Sequence, residues 1–285
     1  MKPFYRILIY CSLIFGSFQT IHSTPGVALV LQEHMVSGMF ASFGTVLGGL
    51  HLYEVGQIQG FHVEMQTGPY VDEDRDSNWW EYYFTPIHLG SPDVAKHYCS
   101  ANDVYSLAGV GFHLDRGYAS ALIQKHIRVK LEFEHEIALF YAQNFAPYFV
   151  IGVHHRGTDK ILEWPLVTYE KTAQCIANVI GGTLNAYQQA QLRIYVATDD
   201  QLFLNYLIGL YPSIVIYNNF VRSADGRPLH YSEHLYASNF QKGREALLDC
   251  LLLSKCHVLI RPASSCFSLA TTFFNPSMPV YAIPP

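Results

Sequence analysis

Three short runs in the second half of the chain set charged and hydroxyl side chains where apolar stretches stop. The first is Val153-His154-His155-Arg156-Gly157-Thr158-Asp159-Lys160, which continues directly from the apolar run after Tyr148. A planar guanidinium such as Arg156 forks onto a diphosphate better than an ammonium does. As a leaving diphosphate gains charge, a preplaced arginine stabilises it more than it stabilises the ground state. A carboxylate such as Asp159 or Asp200 would instead give Arg156 a structural pairing. The second run, Tyr195-Val196-Ala197-Thr198-Asp199-Asp200, ends in two carboxylates. A carboxylate can accept both N–H groups of a guanine edge, or it can cap the helix that follows. The third run, Arg261-Pro262-Ala263-Ser264-Ser265, precedes an apolar helical pattern. Hydroxyls and free amides at a helix start suit phosphate oxygens, and an ordinary serine cap is the other reading.

These runs need a scaffold that brings strand ends together, and the patterning supplies one. Val27–Gln32 reads as a strand, Met39–Glu54 as a helix and Phe61–Met65 as a strand. Ala119–Asn144 has apolar residues at intervals of three and four and predicts one long helix ended by Pro147. The alternation then repeats with a strand over Tyr148–His154, a helix around Tyr169–Ala190 and a strand over Arg193–Ala197. A helix over Asp200–Leu210 and a strand over Ile214–Tyr217 follow. Helix Gly243–Ser254, strand His257–Ile260, helix Ser265–Phe274 and strand Val280–Ile283 complete the pattern. Strands alternating with helices imply parallel sheets covered on both faces. Ligands in such sheets sit beyond the carboxyl ends of the strands, where all three runs fall.

Composition narrows the function class. With 18 Lys and Arg against 23 Asp and Glu, a net charge of −5 and no basic face, nucleic acid is not an expected partner. Lys2 and Arg6 precede an apolar run from Ile7 to Phe18 and a small, polar stretch to Thr24, the layout of a signal peptide ending near Ser23. An uncleaved signal anchor, giving membrane association, and a buried first strand are the competing readings. None of the six cysteines is spaced C-x-x-C, and Cys250, Cys256 and Cys266 match no zinc pattern.

Other groups invite sharper chemistry. Asp72 and Asp74 form a D-x-D of the kind that shares a divalent ion with a diphosphate, but the charge run Asp72-Glu73-Asp74-Arg75-Asp76 reads as a solvated loop, and no metal is expected there. His230-Tyr231-Ser232-Glu233-His234 has the H-x-x-E-H spacing of an inverted metalloprotease motif, which requires a helix. Pro228 and Ser223-Ala224-Asp225-Gly226 predict turns instead. Trp79, Trp80, Tyr82 and Tyr83 either stack on sugar rings or pack the core.

In order and spacing, Val153–Lys160, Tyr195–Asp200, and Leu247-Leu248-Asp249 with Ser254 and Ser264-Ser265 resemble the three donor-site motifs of GDP-fucose-dependent fucosyltransferases. The likeness is greatest to the α-1,6-fucosyltransferase and nodulation-type group and covers the C-terminal half. The resemblance implies an α/β, GT-B-like fold of two Rossmann-like domains with parallel sheets facing a central cleft. Residues 24–148 would form the acceptor-side domain and 149–285 the GDP-sugar-binding domain. The implied reaction is inverting transfer of fucose from GDP-fucose to a glycan or glycoconjugate acceptor, with no metal and no cofactor beyond the donor. Arg156 then corresponds to the essential β-phosphate contact, and His154 lies near the nucleotide. Asp200 would read guanine, Ser264 and Ser265 would hold phosphate, and Asp249 matches the acidic residue of the third motif. Gly157, Thr158, Asp159, Lys160, Thr198 and Asp199 would complete the donor site. Glu33 and His34, ending the first strand, become the acceptor-side candidates, where a base is wanted for the acceptor hydroxyl. A second arginine of the α-1,6 enzymes is replaced here by Gly157, so that linkage does not carry over. A non-catalytic binding relative and a transferase of another GDP-sugar are the alternatives. The leading segment would place the chain in the secretory pathway or Golgi lumen, exported or membrane-anchored.

Overall fold

The computed structural model describes residues 26–32, 38–158, 166–227, 229 and 235–285. The expected signal segment, Glu33, His34, Asp159, Lys160 and the His230–His234 motif lie outside the described residues. No described helix is long and apolar enough to cross a membrane. The chain divides into two compact units, one ending at Lys130 but including Ser238–Gly243, the other formed by Leu131–Ala237 and Arg244–Pro285.

In the first unit the order is β1 (Val27–Leu31), α1 (Met39–Glu54), β2 (Gly60–Val63), α2 (Trp80–Tyr83), β3 (His88–Leu89), β4 (Ala95–Tyr98), α3 (Ala101–Phe112) and α4 (Arg116–His126). The sheet order is β3-β2-β1-β4, with β1 parallel to both neighbours and β3 an antiparallel edge that alternation alone did not predict. Helix α1 is apolar around nearly its whole circumference and is buried accordingly. It approaches α3 so closely that glycine is required at the contact. A Cβ on Gly48 would lie 2.0 Å from the Leu107 carbonyl oxygen, and one on Gly111 would lie 1.9 Å from that of Gly44.

Trp79, Trp80, Tyr83 and Phe84 are fully buried, with Trp80 stacked on Phe84 at 4.3 Å. They pack the core and offer no sugar platform. The acidic run before them is only partly solvated, because the half-buried Asp72 accepts a bond from the Phe240 amide at 3.0 Å. Phe240 in turn lies parallel to Tyr83, ring centroids 5.6 Å apart, beneath the Arg75 guanidinium. The single helix expected over residues 119–144 is two. Ile127 turns extended, and Val129 forms an antiparallel bridge with Phe84, which removes this stretch from helical bonding. The β-branched Val129 fits helical spacing but makes an isolated bridge instead.

The second unit holds α5 (Leu131–Asn144), β5 (Phe149–His155), α6 (Tyr169–Thr183), α7 (Ala186–Ala190), β6 (Leu192–Thr198), α8 (Gln201–Leu210), β7 (Val215–Ile216), α9 (Asn239–Ser254), β8 (Val258–Pro262), α10 (Cys266–Phe274) and β9 (Val280–Ile283). Helix α9 thus begins among the residues grouped with the first unit. The stretch expected as one helix to Ala190 breaks at Leu184, where Asn185 and Gln188 form a capping box for α7. The sheet is wholly parallel in the order β7-β6-β5-β8-β9. Ile151, Val153, Ile194 and Val196 face Ile176 of α6 and Phe203, Leu204 and Leu207 of α8. On the other face Gly152 admits Cys256 and Leu253. Helix α5, assigned from sequence to the N-terminal domain, groups with this unit because Phe140 and Phe145 pack edge-on against Tyr195.

Gly111→Ala is expected to force α1 and α3 apart and to lower stability by about 2–3 kcal/mol. Denaturant unfolding of the two forms measures it, and an unchanged midpoint would contradict the contact.

Candidate functional site

Strand order reverses between β5 and β8. Beyond their carboxyl ends lies the crevice where an open α/β sheet binds ligands. The first and third polar runs leave the sheet on either side of that crevice.

His154 and His155 sit on opposite faces of β5 because strand side chains alternate. His155 stacks on Phe203 at 3.9 Å and meets the Tyr169 ring edge-on. Burial drives its pKa down to about 4, against the opposing pull of Asp199 and Asp200. It is a neutral packing residue. His154 is 5% exposed and lies against Phe267 of α10, centroids 4.7 Å apart. Burial, helped by the nearby Arg156 and Arg261 charges, holds it well below the ordinary imidazole range. Among the described residues its Nδ1 has no hydrogen-bond partner. A buried nitrogen left so is costly, and a ligand group would relieve it.

Arg156 follows at the strand end with 29% of its side chain exposed, its Nε 3.8 Å from Asp199 Oδ2. Asp199 is thus a carboxylate neighbour of Arg156 that the sequence reading did not offer, while Asp159 lies outside the described residues. The Asp199 carboxylate accepts the Gly157 amide at 2.9 Å and the Thr158 hydroxyl at 2.7 Å. Asp200, 8% exposed, caps α8 through bonds from the amides of Leu202 at 2.8 Å and Phe203 at 3.2 Å. Its second oxygen accepts the Tyr169 hydroxyl. Thr198 turns its hydroxyl back to accept the Asp200 amide at 3.1 Å. All of these second-run groups are thus engaged in holding the strand ends.

The third run supplies a helix start. Arg261 is buried and donates to Ser268 Oγ at 3.1 Å and to the carbonyls of Ala263 at 3.1 Å and Ser265 at 2.8 Å, fixing the turn into α10. Ser265 occupies the N-cap position but makes no capping bond, and Ser264 beside it is half-buried.

Asp249, on α9, lies on the His154 face of the sheet. Its Oδ1 accepts Tyr195 Oη at 2.5 Å and Asn218 Nδ2 at 3.1 Å, while its Oδ2 bonds no described residue. Burial pushes its pKa up to about 6 against the stabilising pull of Tyr195, Asn218 and Arg222. Tyr169, Tyr195 and Asn218 were not singled out from sequence. Tyr169 opens a predicted helix and Tyr195 sits inside a predicted strand, so neither carried a local signal. Among the described residues no group of three His, Cys, Asp or Glu is placed to hold a metal ion.

A Cβ on Gly157 would lie 2.3 Å from Asp200 Oδ2. The space a side chain would need at Gly157 is filled by the Asp200 carboxylate.

The sequence matches the family described as nodulation protein Z (NodZ) over residues 96–281. It is 27% identical over 159 residues to nodulation protein Z of Bradyrhizobium diazoefficiens, a stretch covering 54% of this chain and 42% of that protein. The match therefore spans less than half of that relative's length. The fold is similar to a crystal structure of NodZ α-1,6-fucosyltransferase soaked with GDP-fucose, at 16% identity and a TM-score of 0.57, covering 87% of this chain and 92% of that one. It is also similar to an Arabidopsis thaliana FUT1 variant in complex with GDP, at 10% identity and a TM-score of 0.54, covering 95% and 76%. The architecture is thus that of GT-B-type fucosyltransferases, two α/β units with parallel-strand sheets.

Gly157→Ala is expected to displace the Asp200 carboxylate and weaken the α8 cap, lowering stability by about 1–2 kcal/mol. Thermal denaturation reads the change, and an unaltered Tm would show that the two side chains do not compete for this space.

Proposed function

The chain belongs to the nodulation protein Z (NodZ) family, and from that footing we propose that it is a glycosyltransferase moving fucose from GDP-fucose to a glycan or glycoconjugate acceptor, with inversion at the anomeric carbon. One observation carries the reading. At the crevice between β5 and β8 an arginine, a serine-led helix start and a buried imidazole nitrogen with no partner among the described residues are brought to one end of one sheet. Solved structures of similar fold that hold GDP-fucose or GDP support the donor class.

In this reading Arg156 and the Ser264-Ser265 start of α10 receive the diphosphate. As the acceptor hydroxyl attacks and GDP leaves, charge grows on the β-phosphate, and Arg156 stabilises it most at that moment. The transfer uses no metal, because the guanidinium and the helix start take up the charge. Guanine recognition, expected at Asp200, we reassign to Asp249. Asp200 has both oxygens engaged, whereas Asp249 keeps Oδ2 for a base N–H, and His154 Nδ1 lies on the same face. We keep the secretory or exported placement that Lys2, Arg6 and the apolar run suggest, with the mass of the mature protein as its check.

Arg156→Ala is expected to lower GDP release from GDP-fucose over an acceptor panel by about 10²–10³-fold. Faster turnover of another GDP-sugar would sink the donor assignment, and GDP binding without release on any acceptor would favour a binding protein. Chelation by EDTA should leave the rate unchanged, and restoration by added divalent ions would refute a metal-free transfer. If Asp249 reads guanine as a carboxylate, GDP affinity should be constant above neutral pH and fall as pH drops through about 6. Calorimetry on Asp249→Asn should show weaker binding, by about tenfold, with that pH dependence gone.

A further inference from the structure

We propose that Asp199 and Asp200 are positioning residues for Arg156, two adjacent posts to which the end of β5 and the start of α6 are fastened, with Tyr169 as the fastening on α6. The inference rests on the donor-site reading above, in which Arg156 is the group being positioned.

Asp199 holds the chain just beyond β5 by accepting the Gly157 amide at 2.9 Å and the Thr158 hydroxyl at 2.7 Å. The same oxygen that takes Thr158 stands 3.8 Å from Arg156 Nε, close enough to orient the guanidinium while leaving its side chain partly exposed. Asp200 holds the start of α6 through the hydroxyl of Tyr169, the helix's first residue. Adjacent residues on one strand end thus tie down chain separated by ten positions or more.

The posts are themselves fixed. Asp200 is locked by the two α8 amides and by Thr198. The Asp199 carbonyl accepts the Ser223 amide at 2.8 Å, and the Ser223 carbonyl accepts the Gln201 amide at 2.9 Å. Gly157 lies directly against Asp200, since a side chain there would overlap the carboxylate. The Tyr169 ring meets His155 and Phe203 edge-on, so it stays in place even without its hydroxyl. Bonds to a carboxylate are the stronger kind, and here each ends on a different oxygen of the pair.

Tyr169→Phe isolates the contact because it removes the hydroxyl and keeps the ring. Hydrogen exchange on the full-length variant should be faster in residues 156–158 and 166–172 than in the parent, and unchanged exchange there would overturn the anchoring. Calorimetry with GDP should show Tyr169→Phe binding about tenfold more weakly when Arg156 is present. In an Arg156→Ala background the same change should cost less than twofold, because no guanidinium remains to be positioned. Equal losses in the two backgrounds would mean a structural role only and would overturn the positioning. If Arg156→Ala alone leaves GDP affinity intact, the donor-site reading fails by itself, and exchange still decides the anchoring.

Discussion

The bonds from Gly157 and Thr158 to the Asp199 carboxylate set the terms for the rest of this end of the molecule. Polar groups at the end of a covered parallel sheet leave water, and each then needs a partner within reach. Asp199 and Asp200 meet that demand inside the protein, with amides, hydroxyls and one nearby guanidinium. What they leave over bears on the proposed donor site. His154 Nδ1 and Asp249 Oδ2 are groups that no described residue bonds. The distinction between occupied and vacant hydrogen-bonding capacity separates scaffold from site more sharply than residue type, because aspartates stand on both sides of it.

Much of the second unit was legible in the sequence. Its three central strands are buried and read as apolar runs with polar ends, so the strands carrying the three polar runs were found nearly to the residue. The first unit was less so. Ala95–Tyr98 carries Lys96 and His97 and shows no apolar alternation, because it is an exposed edge strand. Val129 fell in helical register by coincidence of spacing. The arginine and the helix start could be named from local pattern, since each follows directly on an apolar run. The division of labour among Asp199, Asp200 and Asp249 could not be, because it depends on Tyr169, Tyr195 and Asn218, each more than twenty residues away in sequence.

The two faces of the sheet carry different kinds of order. Toward α6 and α8 the contacts are aliphatic and His155 is absorbed as an aromatic ring. Toward α9 a polar triad of Tyr195, Asn218 and Asp249 is buried under Phe140 and Phe145. A connected polar group of this sort fixes one register between helix and sheet, whereas apolar packing tolerates small slides. The face that holds the open carboxylate oxygen is therefore the face with the more specific geometry.

Helix α9 opens with residues that belong to the first unit and continues into the second. Neither unit is a continuous length of chain. A fragment ending at Lys130 would lack Phe240, whose ring covers Tyr83 and whose amide satisfies Asp72, and Lys242, whose ammonium donates to the Pro69 carbonyl at 2.8 Å. During synthesis the first unit must wait, with Tyr83 uncovered, until more than a hundred further residues have emerged.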